Sequence, residues 1–179
     1  MIPTFITGNQ HKAEYLSRYL GFSIPYQKLD LEEIQSLNLE EIITHKVKDA
    51  YEQIEKPVLV EDTALSFLGL NGLPGPFIKF FIEQLSMAEI CRLVPEDNRN
   101  AVARCSFGFF DGNNLKIFTR ELTGTISQKP QGIGGFGWDQ IFIPTGFAVT
   151  RSKMNDTDYE KTYLAIKPIQ EVREFLLNL

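Results

Sequence analysis

Residues 58–81 read V-L-V-E-D-T-A-L-S-F-L-G-L-N-G-L-P-G-P-F-I-K-F-F, and the fold follows from how they are read. The opening V-L-V is apolar with two β-branched valines, which suits a buried strand. It ends in two adjacent carboxylates, Glu61 and Asp62. The turn-rich L-N-G-L-P-G-P comes next, then an apolar helix start that carries Lys79. Two carboxylates side by side at a strand end cost stability unless a cation sits there. Acid at a strand end, a tight loop and then a cation are together suited to holding a metal-bound anion.

The flanking sequence alternates strands and helices. Residues 2–6 form a short strand candidate that T-G-N, residues 7–9, interrupts; a helix follows over 11–20. A strand, a turn and a helix start aim backbone N–H groups at an anion, with the helix dipole behind them. Lys12 falls in the first helical turn, where a bound phosphate would offset its conflict with that dipole. Residues 24–31 read as a second extended segment ending in D-L-E-E, which carries Glu33. Asn38 caps the next helix, with Glu41 expected to complete a capping box. Leu39, Ile42, Ile43, Val47, Ala50, Tyr51 and Ile54 recur there at helical spacing. His45 is expected on the solvated face of that helix, and His11 at the surface beside the T-G-N turn.

Beyond residue 81, Ser86 caps a short helix to 94, and P-E-D-N-R-N is a loop. Two strands, 101–110 and 115–122, flank the hairpin signal D-G-N-N, and 124–126 continues extended. The glycine-dense Q-G-I-G-G-F-G-W-D, residues 131–139, precedes a strand at 141–144. Thr157 and Glu160 read as a capping box, and Ile169, Val172, Phe175 and Leu176 as a final amphipathic helix after Pro168. The order implies an α/β fold with a mixed sheet. Residues 1–179 are read as a single domain, or as two lobes sharing one core.

Composition narrows the function. With 43% hydrophobic residues the chain can fill a core, and its net charge of −5 argues against a nucleic-acid polymer as partner. No apolar run approaches a membrane span and no signal peptide is evident, so the expected setting is cytoplasmic. Cys91 and Cys105 lack metal-ligand spacing and are expected to be reduced structural thiols.

Lys12 with Asn9, then Glu33, then Glu61, Asp62 and Lys79, suit a metal–polyphosphate. Carboxylate oxygens take Mg²⁺, lysines neutralise phosphate oxygens, and a remaining carboxylate can orient or deprotonate the attacking water. Phe136 and Trp138 could stack on a base from the glycine loop. Each feature alone has a bland reading, as loop packing or solvated charge; their combination is what points to this chemistry.

The blocks T-G-N-Q-H-K, V-E-D-T-A-L, L-N-G-L-P-G-P-F-I-K-F-F and G-G-F-G-W-D resemble, in order, those of the inosine triphosphate pyrophosphatase family. The resemblance implies hydrolysis of non-standard purine nucleoside triphosphates (ITP, dITP, XTP) to the monophosphate and pyrophosphate. It also implies Mg²⁺, a homodimer, and an elongated mixed sheet with helices forming two lobes around a nucleotide cleft. It places Thr7, Asn9 and Lys12 in a phosphate-binding turn, Glu33, Glu61 and Asp62 at the metal, and Asp62 on the water. Lys79 and Lys161 fall to the substrate, and Phe136, Trp138 and Asp139 to the base.

The chain departs from the family pattern at Tyr15, where a glutamate is usual, and at Gln140, where proline is usual. The family's Ser-His-Arg triplet, which grips the 6-oxo face of the purine, is missing; its positions hold Tyr163-Leu164-Ala165 or Ala165-Ile166-Lys167. The chemistry is therefore expected to be kept, with weaker rejection of the standard purines or a shifted substrate. The alternatives are a pyrophosphatase for other modified nucleotides, or a nucleotide-binding module without turnover.

Overall fold

A computed structural model describes residues 2–179. In chain order the elements are β1 (Thr4–Ile6), α1 (Gln10–Leu20), β2 (Tyr26–Gln27), α2 (Leu39–Ile54), β3 (Val58–Phe67), β4 (Pro74–Gly75) and α3 (Ile78–Gln84). They continue with α4 (Met87–Leu93), β5 (Asn100–Phe110), β6 (Leu115–Ile126), β7 (Phe142–Pro144), α5 (Asp156–Ile166) and α6 (Ile169–Leu177). Among the described residues the strands form one mixed sheet in the order β2-β1-β3-β5-β6-β7, with β4 paired to β3. The β1–β2 and β1–β3 pairings are parallel, and the β3–β4 and β6–β7 pairings antiparallel. This is the α/β class that the alternating pattern implies.

The chain divides into two compact units. The first holds residues 1–62, 105–119 and 168–179. In it α2 lays Ile43, Val47 and Ala50 against Ile6, Val58 and Val60, with Leu29, Leu31 and Phe110 packed around them. Each fully buried valine or isoleucine among them contributes about 1.5–3 kcal/mol. Gly108 lies under α2, where a Cβ would stand 2.6 Å from Ile43 Cγ2. Phe175 of α6 meets Phe109 edge to face at 5.0 Å, and Arg173 Nε donates to Leu20 O at 2.9 Å, which ties α6 to the end of α1.

The second unit holds residues 63–104 and 120–167. Here Arg99 ties a helix to a strand through its guanidinium. Its guanidinium donates to the carbonyls of Cys91, Val94, Ile126 and Ser127 at 2.7–3.0 Å, gathering α4 and the end of β6. Cys91 and Cys105 are both buried, and neither forms a disulfide.

Four local expectations are corrected. Strand β3 does not end at Asp62 but runs on to Phe67. The continuation is apolar where it must be, with Ala64, Leu65 and Phe67 buried, and Leu65 and Ser66 pair with Gly75 and Pro74. The second extended segment shrinks to the two exposed residues of β2, because the chain after it bonds to α2 side chains instead of a neighbouring strand. The Asn38–Glu41 capping box is replaced by a relay: Asn38 N–H donates to Ser36 Oγ, and Ser36 Oγ–H to Glu41. Asn155, not Thr157, caps α5, accepting from Asp158 N–H at 2.9 Å. Ser86 caps α4 as expected, and with Glu89 it forms a capping box in both directions that the sequence reading did not name.

Candidate functional site

In the first unit the T-G-N turn is shaped by its own side chains. Thr7 Oγ1 accepts from Asn9 N–H at 3.1 Å, and Asn9 Oδ1 caps α1 by accepting from Lys12 N–H at 3.3 Å. The stem of Lys28 lies across Gly8; a Cβ there would meet its Cδ at 3.3 Å. Two lysine side chains, those of Lys12 and Lys28, therefore belong to this turn.

Glu61 and Asp62 are successive residues inside a strand, so their side chains leave on opposite faces. Their partners differ accordingly. Glu61, with its side chain only 4% exposed, has Lys12 Nζ 3.5 Å from Oε1. Asp62 Oδ2 accepts from Lys46 Nζ at 3.0 Å. The same ammonium stands 3.7 Å from Glu33 Oε1, so Lys46 joins the loop carboxylate to the strand carboxylate. Charge-assisted bonds of this kind fix geometry more firmly than neutral ones.

Glu33 reaches that position because α2 grips the loop before it. His45 Nε2 lies 3.3 Å from Glu32, Asp49 Oδ2 accepts from Glu32 N–H at 2.7 Å, and Gln53 Nε2 donates to Asp30 O at 2.9 Å. These three residues sit one turn apart on one helix face. The Gln53 amide, then the Glu32 N–H, hold the Asp49 carboxyl below its usual range. His45 is thus not simply solvated: it is bonded to the loop, and its Nδ1 is buried without a partner.

The second unit carries the other candidates. Lys79 is exposed in the first turn of α3, and Lys161 is exposed on α5. Phe136 is 58% exposed on the glycine loop, whereas Trp138 is 7% exposed and its Nε1 has no hydrogen-bond partner. Asp139 works on this block from behind. It is buried, and its Oδ2 accepts from Phe136 N–H at 2.7 Å and from the Tyr159 hydroxyl at 2.8 Å. Its Oδ1 lies 2.9 Å from Arg151 Nη1, and that guanidinium lies 4.6 Å above the Tyr159 ring. Of the tail positions discussed above, Ile166 is buried, and Lys167 lies over the Tyr163 ring at 4.9 Å.

The carboxylates fit a hard cation bound together with its ligand. Among the described residues no group of three His, Cys, Asp or Glu forms a ready metal cage. Glu33 and Asp62 converge on one ammonium, and two carboxylates completed by water and phosphate oxygens are an ordinary Mg²⁺ donor set. Lys46 and Arg151 escaped the sequence reading. Lys46 falls on the polar face of an amphipathic helix, where a lysine usually carries no information. Arg151 lies in a short 3-10 turn with no motif around it.

Residues 3–170 match the Ham1 family. The chain is 36% identical over 177 residues to the inosine triphosphate pyrophosphatase of Schizosaccharomyces pombe, a match covering 96% of this chain and 93% of that one. It is 39% identical over 160 residues to inosine triphosphate pyrophosphatase 2 of Trypanosoma cruzi, covering 87% and 82%. In fold it resembles a HAM1 protein from Coxiella burnetii, with a TM-score of 0.82 at 21% identity over 100% of both chains. It also resembles a nucleoside-triphosphatase, or dITP/XTP pyrophosphatase, from Mycobacterium abscessus, with a TM-score of 0.79 at 18% identity over 96% and 98%.

Proposed function

Because this chain belongs to the Ham1 family, we propose that it hydrolyses non-standard purine nucleoside triphosphates, ITP, dITP and XTP among them, to monophosphate and pyrophosphate. The observation that carries the reading is the doubled ammonium–carboxylate arrangement, Lys12 on Glu61 and Lys46 between Asp62 and Glu33. Such an arrangement is suited to exchange: phosphate oxygens take over the lysines, and the carboxylates are released for water and metal.

In this reading the T-G-N turn and the start of α1 bind phosphate through backbone N–H groups, with Lys12 neutralising charge. Asp62 orients or deprotonates a water that attacks the α-phosphorus; the bond to the oxygen bridging α and β breaks, and pyrophosphate leaves. Mg²⁺, held by Glu33 and Asp62, would supply charge neutralisation on the phosphate oxygens. Lys79 and Lys161 are proposed to bind substrate phosphate, and Phe136 and Trp138 to flank the base.

The test is product analysis with ITP, XTP, ATP and GTP at one Mg²⁺ concentration. Monophosphate and pyrophosphate in equal amounts are expected. Diphosphate with orthophosphate, or binding without turnover, would overturn the reading.

A further inference from the structure

A glycine-dense segment keeps much of its conformational freedom unless something ties it down. Residues 131–139 are tied at their start, middle and end to one short turn, Thr150-Arg151-Ser152. At the start Thr150 Oγ1 donates to Gln131 O at 3.0 Å. At the end Arg151 pairs with Asp139, and Ser152 N–H donates to Asp139 O at 2.9 Å. In the middle the Ser152 hydroxyl donates to Gly134 O at 2.7 Å. The turn and the loop are in close contact there: a Cβ on Gly132 would stand 2.7 Å from Ser152 O and Oγ. The ties are unequally backed. Thr150, Arg151 and Asp139 are buried, so packing as well as bonding fixes the ends of the loop. The middle has no such packing around Ile133 and Gly134. Ile133 is 99% exposed, and a Cβ on Gly134 would meet nothing within 4 Å. Gly134 also holds a φ of +83°, in the left-handed region. This section leans on the Ser152 hydroxyl, and Phe136 lies two residues beyond the carbonyl it holds.

We propose that Ser152 is a positioning residue for substrate binding: its hydroxyl holds the middle of the glycine loop, and with it Phe136, in the conformation that receives the base. This rests on the hydrolase reading above, in which Phe136 flanks the base. A loop fixed before the nucleotide arrives loses little freedom on binding. Without the Ser152 bond the loop has to be ordered by the nucleotide itself, and the deficit falls on affinity. The bond-breaking step, assigned above to Asp62 and the metal, is left as it was.

The test is Ser152→Ala, which removes the hydroxyl and leaves the backbone bonds of the turn. With ITP as substrate, KM is expected to rise about threefold to tenfold, the worth of one neutral hydrogen bond, and kcat to stay within about twofold. A merely structural loss would lower the active fraction, and hence kcat, at constant KM; that result, or an unmoved KM, overturns the assignment while the hydrolase reading stands. A second measurement needs no turnover. Chymotrypsin cuts after exposed aromatic residues, and its rate follows how often the chain around them opens. Without nucleotide, the cut after Phe136 is expected to be about threefold to tenfold faster in Ser152→Ala than in wild type, in step with the lost bond. An unchanged rate at that bond overturns the assignment even where KM moves, because the loop was then not held by Ser152. Faster cutting with an unmoved KM also overturns it, because the held loop then does not serve the substrate. Wild-type protein that turns over neither ITP nor XTP overturns the hydrolase reading and this assignment with it.

Discussion

Glu61 and Asp62 are neighbours in sequence with different work to do. Glu61 is nearly sealed and faces Lys12, whereas Asp62 is 30% exposed and faces Lys46. The accessible one is the better placed to meet a water. Asp62→Asn keeps the shape and the contact with Lys46 but removes the basicity, so kcat should fall by about 10²–10⁴. Near wild-type kcat would take Asp62 out of the chemical step. Glu33 shares Lys46 with Asp62 across a loop, and Glu33→Gln should raise the Mg²⁺ concentration that gives half-maximal activity. A magnesium titration with an unchanged midpoint would remove Glu33 from the metal. At this scale the sequence was legible where a motif surrounds the residue, as with V-E-D-T-A-L. It was silent on Lys46 and Arg151, whose partners lie 16 and 12 residues away and are chosen by packing.

The secondary elements were readable where periodicity is strong. Helix α2 came out near its expected bounds because a long apolar pattern decides it, and the β5–β6 hairpin because the D-G-N-N turn fixes where its strands meet. The misreadings all lie at ends, at the loop gripped by α2 and at the cap of α5, where one side-chain bond chooses between neighbouring polar residues. The packing of α2 on the sheet has its own test. In Gly108→Ala the new methyl would press on Ile43 from 2.6 Å in a close-packed layer, at a cost of about 1–3 kcal/mol. For a chain of this size that lowers Tm by about 2–4 °C per kcal/mol. Calorimetry showing an unchanged or raised Tm would mean that α2 can move away without loss.

For the molecule as a whole, the α/β class followed from the alternation of patterns, and two lobes was one of the readings, but where the two units divide was not legible. The units interleave along the chain, and strands β3, β5 and β6 each contribute residues to both. No stretch of composition marks such a boundary, because the chain crosses it inside strands instead of through linkers. Among the described residues no helix is long and apolar enough to cross a membrane. The burial of both thiols, one in each unit, has a practical consequence. Cys91 and Cys105 are 1% and 0% exposed, and burial pushes the Cys91 thiol up, which disfavours the reactive thiolate. A colorimetric thiol reagent should consume no thiol from the folded chain over minutes and both after denaturation; early reaction would show local opening of the packing around one of the thiols. A chain that behaves this way can be labelled without first removing its own cysteines. Ile133, 99% exposed between two glycines, is the natural place for a single new one: Ile133→Cys would carry a fluorescent or spin label on the glycine loop proposed to flank the base, where nucleotide arrival is expected to change its signal.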